Sequence, residues 1–204
     1  MAMSPARIIQ RGPLGGSAGL VLYFVRHGEP ESHNDDPSMD PPLTPRGRRQ
    51  ASRIARRLAG IRFDHIYVSD LARAYETGEI VLRYHPHAPV TVSRALREVA
   101  AHHVMGGQSP LDAEAPLDDH ERESLDRFVS HVRTSHRPGE KILMVAHGNL
   151  IRTLVPLFAG QDPGRGLILD LHNAALTVLE VWPGGRAVLR VANCTRHLAG
   201  RDLT

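Results

Sequence analysis

The chain has 204 residues, 41% hydrophobic and 23% charged, and its 25 Lys and Arg against 22 Asp and Glu give a formal charge of +3. This length suits one compact α/β domain or a domain with a small cap, and no window approaches the roughly 18 uninterrupted apolar residues that a membrane span needs. The positive excess is small and nearly all arginine, so it does not decide between nucleic acid and a small anionic substrate.

Residues 1–19 (MAMSPARIIQRGPLGGSAG) are rich in Gly, Pro, Ser and Ala and lack the apolar centre of a signal peptide, so they read as a flexible leader. "GLVLYFVRH" is a short apolar run, read as a buried strand ending near Val25. "PPLTPRGRRQASRIARRLAG" opens a helix with Thr44 as N-cap and Pro45 at the first helical position; Ala51, Ile54, Ala55 and Leu58 share a stripe, and Gly60 is its stop. Arg49, Arg53, Arg56 and Arg57 fall on the other face, expected to be solvated; no aromatics interleave with them, as a nucleic-acid platform would require. "FDHIYVSD" (63–70) reads as a second strand, "LARAYETGEIVLRY" (71–84) as a helix, and residues 90–92 as a short strand. Residues 100–120 show no clear period and are expected to form a lid or insert within 99–137, although "ERESLDRFVSHVRTS" carries a helical stripe of Leu125, Phe128, Val129 and Val132. "KILMVAHG" (141–148) is a third apolar strand with the helix "NLIRTLVPLFAG" behind it, and "AALTVLEVW" and "RAVLRVAN" flank Pro183-Gly184-Gly185 as an antiparallel pair at one sheet edge. The alternation predicts an α/β fold: an open, mostly parallel sheet with helices on both faces and one antiparallel edge, in a single domain over residues 20–204. Cys194 is the only cysteine, so no intrachain disulfide can form, and a cytoplasmic location is expected.

Two of the main strands end alike, in Arg26-His27-Gly28 and in His147-Gly148, while the strand between them in sequence ends at Ser69-Asp70 with Arg73 in the next helical turn. Ligands of open α/β sheets bind outside the carboxyl ends of the strands, so His27, Arg73 and His147 are expected at one mouth. The glycines after both histidines would let the backbone pass close to a ligand. Arginine forks match phosphate oxygens, a neutral imidazole can attack phosphorus, and a second imidazole or a guanidinium can stabilise the equatorial oxygens. A carboxylic acid must then protonate the leaving alcohol. Glu98 in "ALREVA" follows the 90–92 strand on the same rim and is the candidate; Glu29 is its competitor.

"FVRHGE", "PLTPRGRRQA", "VSDLARAYET", "LRE" and "MVAHG" stand in the order seen in the histidine phosphatase superfamily, in its phosphoglycerate mutase-like branch, and "HNAALTVLEV" is similar to the family's late strand. The resemblance implies that His27 is the phosphorylated nucleophile, that Arg26 and Arg73 bind the phosphoryl group with His147 as the second pocket histidine, and that Glu98 donates the proton. Thr44 and Gly47 match a motif that shapes the following helix. Many members carry Asn six positions after the nucleophile, where this chain has His33 followed by Asn34, and many small phosphatases have an acidic, Gly-Trp-rich stretch where it has "VAAHHVMGGQSP". Glu29, His33, Asn34, His102 and His103 are therefore candidate substrate contacts, in a pocket expected to be unusual.

The alternatives to these roles are ion pairs of Arg73 with Asp70 or Glu76 and of Glu98 with Arg94 or Arg97. His85-x-His87 and His102-His103 invite zinc, but no cysteine lies near and no HExxH helix is present, so neither metal nor cofactor is expected. The reading is a metal-independent phosphatase of the histidine acid type acting on a small phosphorylated substrate, with no nucleic-acid or membrane partner. A phosphoglycerate mutase-type transfer is the alternative; the 48 residues between Glu98 and His147 must include a helix and leave little for a cover that shuts out water. A non-catalytic phospho-ligand binding module would be expected to lack the nucleophile or the acid, and both are present.

Overall fold

The computed structural model describes residues 18–31, 40–99, 117–163 and 169–204. In chain order the elements are β1 (Leu20–Arg26), α1 (Pro45–Leu58), β2 (His65–Ser69), α2 (Ala72–Leu82), β3 (Val90–Ser93), α3 (Asp119–Ser135), β4 (Lys141–Ala146), α4 (Gly148–Phe158), β5 (Leu176–Val181) and β6 (Ala187–Cys194). The six strands form one sheet in the order β3-β2-β4-β1-β5-β6. The first four of these are mutually parallel, β5 runs antiparallel to β1, and β6 antiparallel to β5.

The central strands are apolar throughout because both of their faces are covered. In β1, Leu22 and Phe24 face one core cluster with Leu125, Phe128, Val129 and Val132 of α3 and Leu150 and Leu154 of α4. Tyr23 and Val25 face the other, with Ala51, Ile54, Ala55 and Leu58 of α1 and Ile80 and Val81 of α2. Strand β4 alternates likewise, Ile142 and Met144 to the first cluster and Leu143 and Val145 to the second. Each such side chain contributes about 1.5–3 kcal/mol on burial, so the middle of the sheet carries much of the core's stabilisation. Helix α1 starts where Thr44 caps it, its side chain accepting the Gly47 N–H at 2.9 Å, with Pro45 at the first position.

Of the stretch expected to hold an insert or lid, residues 117–137 are described, and they contain α3, whose apolar stripe belongs to the main core. The arginine face of α1 differs from the solvated surface expected for it. A 3-10 turn at Gly200–Asp202 brings the buried Asp202 carboxylate over the helix, where Arg49 (3.4 Å) and Arg53 (2.9 Å) pair with it. Arg57 meets Cys194 Sγ and His197 Nδ1, each at 3.2 Å. A carboxylate out of water needs such partners, so part of that face is internal. Among the described residues no helix is long and apolar enough to cross a membrane.

Candidate active site

The parallel register of β1 and β4 pairs Arg26 with Ala146, so the next residues along, His27 and His147, emerge side by side at the carboxyl end of the sheet. Their ring centroids are 5.1 Å apart at 60°, and both are almost wholly buried, at 3% and 0% exposure. His27 Nδ1 lies 2.6 Å from the Gly28 carbonyl oxygen. A carbonyl only accepts, so Nδ1 carries the hydrogen and the Nε2 lone pair faces outward from that bond. Burial holds the His27 pKa well below the ordinary imidazole value, and the Arg26 and Arg73 charges push the same way against the Gly28 bond. The ring is thus neutral, the form in which nitrogen can be a nucleophile.

Around it stand two guanidiniums. Arg73, in the first turn of α2, brings Nε to 3.3 Å from His27 Nε2 and Nη1 to 3.5 Å from Asp40, which also accepts the Ala72 N–H. Arg26 donates through Nη1 to the Leu171 carbonyl, while its Nε is buried with no partner among the described residues. His147 bonds through Nε2 to Ser69 Oγ at 2.8 Å, and its Nδ1 is likewise buried and unpartnered. Burial, then the charges of its neighbours, hold the His147 pKa well below the usual value. Burial also lowers the pKa of both arginines, most strongly opposed by the Glu98 charge. Buried polar atoms without partners are rare in folded proteins and call for an explanation. Here two of them belong to Arg26 and His147, which neighbour the neutral His27 along the chain and across the sheet respectively.

Glu98 sits just beyond the 3-10 turn at Arg94–Leu96 that follows β3. Its Oε1 accepts the Leu150 N–H at 2.9 Å and the Val99 N–H at 3.3 Å. Burial raises its pKa, opposed by those two bonds and by Arg26 and Arg73, so the carboxyl is biased towards its protonated form. The alternative ion pairs are taken by others: Arg97 and Arg94 pair with Asp70, and Arg48 with Glu76. Glu29 is committed elsewhere, its carboxylate engaged by Arg46 and by Thr44 Oγ1 at the start of α1. The Arg46 bond is the main cause that holds its pKa below the usual range, against the burial that raises it. His33, Asn34, His102 and His103 lie outside the described residues. Among the other histidines, His85 packs edge-on against Phe63 at 5.1 Å, and His87 is exposed.

The glycines beside the two histidines leave room for neighbouring parts of the chain. A Cβ on Gly28 would sit 2.5 Å from the Gly47 carbonyl oxygen, and one on Gly47 would strike the Glu29 carbonyl oxygen. A Cβ on Gly148 would lie 3.3 Å from Arg26 Nε. Sequence reasoning also missed the residues that fix the His27 backbone. Its carbonyl accepts the Ala174 N–H at 3.0 Å and Asn173 Nδ2 at 3.2 Å. Thr204 Oγ1 donates to Asn173 Oδ1 (3.2 Å) and accepts from Gln50 Nε2 (2.9 Å), and Gln50 Oε1 accepts the Glu29 N–H at 2.7 Å. The Gly28 N–H goes to Thr77 Oγ1 at 3.1 Å. Three residues of loop are thereby held by three side chains and one backbone N–H from distant parts of the chain, with Thr204 tying two of those side chains together. Their signal was present only as polar residues inside apolar patterns, Gln50 in "RRQA" and Asn173 in "HNAAL".

Fold and side-chain cluster together define an α/β protein with two histidines and two arginines gathered at the carboxyl ends of adjacent parallel strands. The chain belongs to the histidine phosphatase superfamily (branch 1), whose sequence profile matches residues 22–126 and 110–194. It is similar to the serine/threonine-protein phosphatase PGAM5, mitochondrial, of Rattus norvegicus, at 29% identity over 200 residues, covering 90% of this chain and 65% of that protein. The chain therefore spans about two thirds of the length of that relative. YhfR of Bacillus stearothermophilus superposes with a TM-score of 0.69 at 26% identity, covering 87% of this chain and 98% of that one. The phosphoserine phosphatase of Entamoeba histolytica, solved in complex with 3-phosphoglyceric acid, shares the fold with a TM-score of 0.65 at 23% identity, covering 88% and 100%.

Proposed function

We propose that this chain is a phosphatase that hydrolyses a small phosphomonoester through a phosphohistidine on His27. The observation that carries the reading is the pair of buried nitrogens without a partner among the described residues, Arg26 Nε and His147 Nδ1, beside a neutral His27. His27 Nε2 attacks phosphorus and forms the P–N bond while the P–O bond to the alcohol breaks, and Glu98 gives its proton to the departing oxygen. Arg26, Arg73 and His147 hold the equatorial oxygens through the transition state. Glu98, now ionised, then takes a proton from water; the water oxygen attacks phosphorus, the P–N bond breaks, and inorganic phosphate leaves. The fixed guanidiniums supply the positive charge that a metal ion supplies in other phosphatases, so the reaction is read as metal-independent. Family membership supports the same chemistry, and two of the relatives named above are a phosphoserine phosphatase and a serine/threonine-protein phosphatase, so an alkyl phosphate is the class we assign. The single cysteine, Cys194, is the support for a cytoplasmic location.

The test is a phosphate-release assay on alkyl phosphomonoesters in excess EDTA, with rapid quenching to trap an acid-labile, alkali-stable phosphoenzyme. Wild type is expected to turn over and to carry one labelled phosphate, and folded His27→Ala is expected to do neither. Wild-type turnover by His27→Ala would remove the nucleophile, and loss of activity on chelation, restored by zinc or magnesium, would move the chemistry to a metal. Dominant transfer to an added acceptor alcohol over release of phosphate would favour the mutase.

A further inference from the structure

Ser69 ends β2 and is wholly buried. Its hydroxyl has one hydrogen to give and lone pairs to receive. The Leu71 N–H donates to Ser69 Oγ at 3.3 Å, in the two-residue turn that leads into α2. That leaves the Ser69 hydrogen in need of an acceptor, and the one other polar partner of Oγ among the described residues is His147 Nε2, at 2.8 Å. Were Nε2 to carry the hydrogen, both neighbours would donate to Ser69 Oγ and its own O–H would be buried without an acceptor, an unmet group that destabilises the fold. The complete pairing runs the other way, with Ser69 donating to Nε2.

We propose that Ser69 is a positioning residue that fixes His147 as its Nδ1–H tautomer, so that a hydrogen-bond donor, and not a lone pair, meets the oxyanion in the pocket. The inference deepens the phosphatase reading and rests on it for the identity of the oxyanion. It explains why the one buried nitrogen of His147 that lacks a partner is Nδ1. An unpartnered lone pair there would repel a phosphate oxygen; an N–H attracts one. His27 is fixed by the same device, the Gly28 carbonyl holding its hydrogen on Nδ1 so that Nε2 keeps its lone pair. Each imidazole thus has one nitrogen tied to the protein, and the tie sets what the other offers: an N–H from His147, a lone pair from His27.

The experiment reads the tautomer directly. Nitrogen-15 NMR of the ring-labelled wild type, with the His147 signals assigned as those absent from His147→Asn, should show a pyrrole-type Nδ1 and a pyridine-type Nε2 at a pH where the ring is neutral. Ser69→Ala should move this pattern towards the other tautomer and weaken inorganic phosphate binding roughly 3- to 10-fold, the worth of one neutral hydrogen bond. In the His147→Asn background, where an amide donor does not depend on a tautomer, Ser69→Ala should change phosphate affinity by no more than about twofold. A pyrrole-type Nε2 in the wild type overturns the proposal whatever the variants do, as does an unchanged His147 pattern in folded Ser69→Ala. If the tautomer is as expected but no phosphomonoester is hydrolysed, the phosphatase reading fails and the role of Ser69 stands.

Discussion

Glu98→Gln separates proton donation from every other duty of that side chain. In the native protein both main-chain donors, Leu150 N–H and Val99 N–H, go to Oε1. A glutamine can keep its amide oxygen there and retain both bonds, so stability should shift by less than about 1 kcal/mol. What is lost is the transferable proton on the other oxygen. An alkyl alcohol is a far poorer leaving group than a nitrophenol and needs that proton in the transition state. Glu98→Gln should therefore slow hydrolysis of an alkyl phosphate on the order of 10²-fold relative to p-nitrophenyl phosphate, a difference of about 2.7 kcal/mol in the barrier. Because burial raises the Glu98 pKa, wild-type turnover of the alkyl substrate should fall as pH rises through that raised value, and the variant should lose this limb. Glu29→Gln offers the contrast. Arg46 holds the Glu29 carboxyl ionised, a poor state for an acid, and the substitution weakens the Arg46 and Thr44 contacts, so it should affect both substrates alike. Equal slowing of the two substrates by Glu98→Gln, or a leaving-group dependence that appears with Glu29→Gln instead, would refute the assignment.

Stability should fall in acid because the folded pKa values of His27 and His147 lie below the unfolded value near 6.5. The unfolded chain binds protons that the folded one refuses, so their contribution is complete above about pH 6.5 and is lost below it, by up to about 1.4 kcal/mol per pH unit for each ring. In urea unfolding followed between pH 7 and 5, His27→Gln should show a shallower loss than wild type; an identical slope would mean that the ring is not buried neutral. Gly47→Ala should cost about 1–3 kcal/mol by overpacking against Glu29 and reduce turnover by displacing the loop that holds His27. A variant with wild-type melting temperature and activity would contradict this packing.

The strands and the converging ends were legible because they rest on local signals. Strands β1 and β4 are covered on both faces, so they read as unbroken apolar runs, and a basic residue directly behind such a run is conspicuous. Parallel strands in an open sheet then bring their carboxyl ends together, so His27, Arg73 and His147 could be grouped from topology alone. The supporting hydrogen bonds were not legible. Ser69 meets a residue 78 positions away, Asn173 one 146 positions away, and Gln50 one 154 positions away. A serine or an asparagine at such a position looks the same whether it faces solvent or a histidine ring. The arginine face of α1 failed for the same reason: periodicity shows which side chains share a face, but not that the turn holding Asp202 covers part of it.

The same burial that makes the site possible also dictates which of its residues can be exchanged. Removing water from His27 and His147 favours their neutral forms, and removing it from Glu98 raises the pKa of its carboxyl. Two arginines in that surrounding would repel one another and both histidinium forms, which favours uncharged imidazoles, while the Glu98 charge opposes the cost of burying the guanidiniums. On the proposed reading an entering phosphate would reverse the balance, supplying negative charge to Arg26 and Arg73 and an acceptor to the buried Arg26 Nε–H. Affinity for an oxyanion would in this way be drawn from the cost of holding positive charge out of water, and chemistry from the neutrality this imposes on the histidines. A change that let water reach the strand ends would relieve the arginines and raise the histidine pKa values together. Binding and nucleophilicity would then decline as one property, although no catalytic atom had moved.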